Sequence, residues 1–149
     1  MSDIVPKAPN AIPALTEEAL DRVRRLEEVA RERPQTPIET QHVFHAGLYA
    51  RTVMIPAGHL ITGALIKIPT ILIVSGDAVM YGPDGAVEVT GYTVFSASAG
   101  RKQAMVALTD THLTMLFPTD AKTVDQAERA FTDEFDLLIT RKETAACPA

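Results

Sequence analysis

The chain has 149 residues, 46% of them hydrophobic, only 5% aromatic with no Trp, and a formal charge of −5. That length and apolar content suit one globular domain with a real core. The acidic balance offers no Lys/Arg face for phosphates, and the scarce aromatics leave little for a base- or sugar-stacking platform, so no nucleic-acid partner is expected. A single cysteine, Cys147, rules out an intrachain disulfide. Met1 to Lys7 carries no basic start leading into an apolar run, and no apolar run approaches the roughly 20 residues of a membrane helix. These features point to a cytosolic product, or to part of an assembly built in a cytosol, with no membrane partner.

Met1 to Ala14 contains Pro6, Pro9 and Pro13 without periodicity and reads as an extended arm, either frayed or wrapped on a neighbouring subunit. Leu15 to Arg33 reads as a helix. Thr16 is its N-cap, Glu17 and Glu18 meet the positive end of the helix dipole, and Pro34 stops it. Leu20, Val23, Leu26 and Val29 form a narrow apolar stripe, suited to a sheet of the same domain or to a partner chain.

From Gln41 the pattern becomes β. Gln41–Phe44, Leu48–Ile55, His59–Lys67, Thr70–Val74, Asp77–Tyr81, Ala86–Thr90, Tyr92–Ala97, Gln103–Leu108 and His112–Phe117 are short and rich in Val, Ile, Thr, Tyr and Phe. Gly, Pro, Asp or Ser separates them at the regular spacing of sandwiches and barrels. Pro83 and Gly85 mark a hairpin turn between Tyr81 and Ala86. After Pro118 the helical period returns, with Thr123 as cap and Val124, Ala127, Ala130 and Phe131 on one face. Phe135 to Ile139 continues apolar as a second helix or a closing strand, and Glu143 to Ala149 reads as a tail. The expected organisation is arm plus amphipathic helix over residues 1–40, a β-barrel over 41–118, and a C-terminal helical segment and tail over 119–149.

Several phrases in the β region belong together. They are Gly47 to Gly58 (G-L-Y-A-R-T-V-M-I-P-A-G), Gly63, Val74-Ser75-Gly76-Asp77, Asp84-Gly85 and Phe95 to Gly100. On these the stretch from Gln41 to Phe117 resembles a small single-domain cupin, and more narrowly the short cupin-like proteins of tailed bacteriophages and prophages. The resemblance implies a mainly β, cupin-like barrel of jelly-roll type. Cupins that do chemistry hold a metal through two motifs. Laid on this chain, the first puts its histidines at Ala64 and Ile66 and its glutamate at Thr70, and the second puts its histidine at Gln103. A divalent metal needs three or four converging imidazole or carboxylate donors, and these residues supply none. The interior at Leu65, Ile66, Ile71 and Ile73 is expected to be apolar and packed.

The remaining candidates are scattered. His42 and His45 are three apart, which on a strand puts them on opposite faces. His59 follows Gly58 in a turn and is expected to be exposed. A zinc site built from His42, His45 and His112 is the metal alternative. Ser96 and Ser98 lack a nucleophile elbow, and Cys147 lacks a base. Arg101 and Lys102 could bind an anion at a turn, but two basic residues there are expected simply to face solvent.

The sequence therefore favours a protein without catalytic, cofactor or metal residues. Its expected role is structural: an oligomeric component of a phage or prophage virion, assembled in the bacterial cytoplasm, contacting its own copies and other phage structural proteins through the arm and helix. The alternatives are a metal-dependent cupin enzyme of isomerase or dioxygenase type with an atypical His set, and a small-molecule-binding cupin module.

Overall fold

The computed structural model describes residues 10–141. Cys147 and most of the arm and tail lie outside that range. The elements in order are β1 (Ala11–Ile12), α1 (Glu17–Arg31), β2 (Thr40–His45), β3 (Leu48–Ile55), β4 (Leu60–Thr62), β5 (Thr70–Ser75), β6 (Ala78–Gly82), β7 (Gly85–Val89), β8 (Tyr92–Ala97), β9 (Ala104–Ala107), β10 (Thr111–Pro118) and α2 (Val124–Phe131). A 3-10 turn follows at Phe135–Leu137, and residues 139–141 are helical again.

The strands pair in nested fashion. β6 joins β7, β5 joins β8, β4 joins β9 and β3 joins β10, all antiparallel. That nesting is the wrapping of a jelly roll. It yields a six-stranded sheet in the order β1-β8-β5-β10-β3-β2 and a four-stranded sheet in the order β4-β9-β6-β7. The mainly β, jelly-roll expectation holds, with its N-terminal helix and C-terminal helical segment. The two sheets nevertheless remain separate, so the layers face each other as an open sandwich and the barrel is not closed.

The turns of the glycine-bearing phrases explain why the chain folds this way. Gly58 takes φ +81 and donates to Ala107 O at 2.7 Å, while Ala57 N donates to Asp110 Oδ1 at 2.9 Å. Asp77 ties three loops. Its carboxylate accepts from Gly91 N at 3.0 Å, its carbonyl accepts from Leu108 N at 2.8 Å, and its own N–H donates to Thr109 Oγ1 at 2.9 Å. These residues shape the connections between strands.

α1 begins where its cap predicts, with Thr16 Oγ1 accepting from Ala19 N at 3.1 Å. Ala19 and Val23 are buried, and the helix lies against β4. Thr16→Ala is expected to lower stability by about 1 kcal/mol, the usual loss of a helix N-cap, measurable as a shift of the urea midpoint at constant slope. α2 is capped likewise, by Thr123 Oγ1 accepting from Gln126 N at 3.2 Å.

Four readings need correction. Ala11–Ile12 is a strand, paired in parallel with Ser96–Ala97, and not free arm. The expected strand His59–Lys67 shortens to Leu60–Thr62, because Gly63 breaks it and only Ile66 bridges again, to Arg101 and Thr132. Phe135 to Leu137 forms a 3-10 turn and helix resumes at residues 139–141, so the segment is helical in two short pieces and is not a closing strand. The register of β5 is the reverse of the apolar interior expected there. Thr70, Leu72 and Val74 face inward, whereas Ile71 and Ile73 lie on the outer face and Ile71 is 44% exposed. A strand of continuous Ile, Leu and Val gives period-2 reasoning nothing to choose between.

Candidate functional site

The core between the sheets does not fill completely. A cavity of about 180 Å³ remains between them. Leu72, Leu113 and Met115 line it from the large sheet, Met80 and Met105 from the small one, and Leu137 to Ile139 from the C-terminal segment. The expectation of a packed interior therefore fails. Three methionines on the walls are flexible enough to leave room without a matching partner.

Five polar side chains, Glu27, Arg51, Thr62, Arg101 and Gln103, stand in this largely apolar lining. Arg101 is 1% exposed. Its guanidinium donates to Thr70 Oγ1 at 2.6 Å and to Ser98 O at 3.0 Å, with long contacts to Ile68 O at 3.5 Å and Met115 Sδ at 3.6 Å. Among the described residues no carboxylate lies within ion-pair distance of it. Burial lowers its pKa to about 10, so it stays charged at neutral pH. Gln103 also lines the cavity, and its buried Oε1 has no hydrogen-bond partner.

Lys102 shows the contrast. It is fully buried, but it sits between Glu27 Oε2 and Glu134 Oε1, each at 3.0 Å. Burial pushes the Glu134 carboxyl up, yet the Leu65 N–H and the Lys102 ammonium outweigh this and hold it below the ordinary glutamate value. This ion triad ties α1 and the loop after α2 to the irregular segment that leads into β9. The expectation that Arg101 and Lys102 face solvent is thus wrong for both. The turn at Gly100, φ +83, aims the chain back into the sandwich, and the isolated bridge to Ile66 holds Arg101 there.

A third buried cation, Arg51, is paired. Arg51 Nη1 donates to Glu128 Oε2 at 2.8 Å and stacks over the Phe131 ring at 5.5 Å. Glu128 also accepts from Arg141 Nε at 2.8 Å and from the Thr140 hydroxyl.

The residues at the metal-motif positions do gather here. Ala64, Ile66 and Gln103 line the cavity, and Thr70 bonds the guanidinium beside it. An amide, a hydroxyl and two alkyl groups do not fit a divalent metal. The histidines are elsewhere. His42 sits opposite Arg51 on the inner face at the sheet edge, with Nδ1 2.6 Å from Tyr49 Oη. His112 sits opposite Met54 on the outer face, and His45 is exposed. His59 lies at the other layer, 2.9 Å from Thr36 Oγ1, and is half-buried where exposure was expected. Among the described residues no three of His, Cys, Asp and Glu come together as metal ligands. Ser96 lies on the outer face against Asn10 O, and Ser98 contributes only its backbone.

No protein-family model matches the chain, and no curated protein matches it. Among solved structures the chain is similar to a cupin superfamily protein from Desulfitobacterium hafniense, at 12% identity and TM-score 0.47 over 59% of this chain and 83% of that one. It is similar to ectoine synthase from P. lautus at 13% identity and TM-score 0.48, over 66% of this chain and 76% of that one. It is similar to salicylate 1,2-dioxygenase from Pseudoaminobacter salicylatoxidans at 15% identity and TM-score 0.48, over 82% of this chain and 37% of that one. Likeness at this level carries no chemistry across, and the side chains of the cavity have to supply it.

Proposed function

We propose that the chain is a non-catalytic, small-molecule-binding module whose ligand occupies the space between the two sheets. The observation that supports this is the cavity itself: about 180 Å³, largely apolar, with Arg101 and Gln103 among the few polar side chains of its lining. A concave apolar site with few polar groups is the usual form of a small-ligand site. The metal-enzyme alternative would need donors that the motif positions do not offer.

The methionines provide the test. Met80, Met105 and Met115 line the cavity, whereas Met54 is on the outer face. With methyl-labelled methionine, benzene is expected to shift the three lining methyl resonances saturably and leave Met54 in place. Benzene that moves none of the three, or moves Met54 equally, would remove the cavity as a ligand site. Native mass spectrometry before and after a chelator tests the metal alternative, which a stoichiometric, chelator-sensitive metal would establish.

A second reading, the oligomeric structural subunit, draws on the outer face of the large sheet. Val43, Met54, Ile71, Tyr92 and Val94 are exposed there. From strand spacing and rise, five strands by five residues give a flat area of roughly 400 Å². Two such faces would bury on the order of 800 Å², below the roughly 1,200 Å² of stable interfaces and within what ordinary monomers expose. The face thus favours at most a weak homodimer, which the same native spectra would show as a concentration-dependent minor species. The phage setting rests on the sequence resemblance alone.

A further inference from the structure

The geometry points to a monocarboxylate with a compact apolar body as the ligand of the inter-sheet cavity, its anionic head on the Arg101 guanidinium and its body among the methionine and leucine side chains. This rests on reading the cavity as a ligand site.

Charge is the first argument. Every other buried cation in the described residues has an acid. Arg51 has Glu128, and Lys102 has Glu27 and Glu134. Arg101 has only neutral acceptors, although it is as deeply buried as Lys102. A buried charge without a counterion is unfavourable, and an anion that enters the cavity removes that penalty. The one carboxylate that also lines the cavity, Glu27, is already engaged by Lys102 at 3.0 Å and by Arg31 at 3.1 Å.

Donor geometry is the second. A guanidinium has five N–H donors in a fixed fork. On Arg101 two are well used, by Thr70 Oγ1 and Ser98 O, and Nη2 otherwise meets a thioether at 3.6 Å, a poor acceptor. A carboxylate oxygen can take the place of that sulfur with a short, charge-assisted bond. Gln103 adds an amide without a partner for Oε1. Rotated by half a turn, that amide offers its NH₂ to the second carboxylate oxygen, and unrotated it accepts from a ligand hydroxyl.

Size is the third. An apolar cavity of about 150 Å³ takes benzene. A cavity of about 180 Å³ therefore takes a ring or chain of similar bulk with a head group. A dianion or a phosphate ester would bring more charge than one guanidinium neutralises, so a single carboxylate is the matching head.

Benzoate and benzamide separate charge from shape. By calorimetry on the full chain, benzoate is expected to bind at least about tenfold more tightly than benzamide. Arg101→Gln, which removes the charge and keeps a shorter polar amide, is expected to remove that preference while benzene still shifts the lining methionines. Arg101→Lys, which keeps the charge, should retain part of it and guards against a folding defect in the neutral variant. Equal affinities of benzoate and benzamide for the unmutated chain would overturn the carboxylate assignment and leave the cavity as an apolar site. Failure of benzene, benzoate and benzamide alike to move the lining methionines would overturn the ligand-site reading, and the inference with it.

Discussion

Glu128→Gln is expected to lower the stability of the fold by about 3–5 kcal/mol, the usual loss when one partner of a buried ion pair is removed. Glu128 is 1% exposed on α2 and serves three donors: Arg51 from β3, Arg141, and the hydroxyl of Thr140. It is therefore the point at which α2 and the segment after it are pinned to the large sheet. Glutamine keeps the shape but not the charge, so Arg51, itself 9% exposed, is left without an anion. Replacing both Arg51 and Glu128 by methionine should restore much of the loss, because the burial penalty of two charges disappears together.

The same carboxylate sets an acid limit. Burial alone pushes its pKa up. The hydrogen bonds of Thr140 and Arg51 and the Arg51 charge outweigh burial and hold it below the ordinary value of 4.5. A carboxyl with a lower pKa in the folded state binds fewer protons there than in the unfolded chain. Its stabilising contribution is thus complete above about pH 4.5 and is lost as pH falls through the folded value. Glu134 acts in the same direction. Urea unfolding at pH 7 and pH 3.5 checks both points. The unmutated chain should lose stability on acidification, and Glu128→Gln should lose less. A variant with an unchanged acid limb, or one within about 1 kcal/mol of the parent at pH 7, would show that Glu128 does not pin these elements.

Much of the fold was legible because its punctuation is chemical. Gly58, Gly76 and Gly85 adopt positive φ at the turns where the glycine-bearing phrases place them, and Thr16 and Thr123 cap the helices they precede. What escaped lay where two signals compete. Ile71 and Ile73 are as apolar as Leu72 and Val74, so composition cannot set the register of β5. Arg101 and Lys102 look like turn residues because charge usually marks the surface. Yet a period-2 count back from Met105 reaches Gln103 and then Arg101, and all three line the cavity. That signal was present, but it runs through an irregular stretch before Ala104 where strand periodicity would not normally be extended. The pairing of Lys102 with Glu27 and Glu134 joins residues far apart in the chain, which no local pattern reveals.

Gly76→Ala is expected to be the most damaging single-methyl change in the β region, lowering stability by roughly 2–5 kcal/mol from backbone strain and overpacking together. Gly76 has φ +136, where a side chain is strained whatever the space around it. Space is also absent. An added Cβ would lie 2.5 Å from Thr111 Oγ1 and 2.9 Å from both Asp110 O and Thr111 Cα. Thr111 cannot give way, since it is fully buried and its hydroxyl donates to Thr109 O at 2.8 Å. Gly58→Ala isolates the backbone part, because its φ is +81 and nothing lies within 4 Å of the added methyl. It should cost only about 1–2 kcal/mol. Thr111→Ala in the Gly76→Ala background removes the hydroxyl clash but not the clashes with backbone, so rescue should be partial. The consequence reaches the cavity. Gly76 lies in the step from β5 to β6, which carries the chain from the sheet that holds Leu72 to the sheet that holds Met80. A displaced crossing there changes the distance between the two walls. Gly76→Ala should therefore shift the Met80 and Met115 methyl resonances without any ligand, while Gly58→Ala should not. Denaturation midpoints that are equal for the two alanine variants would mean that the close approach to Thr111 does not constrain the crossing.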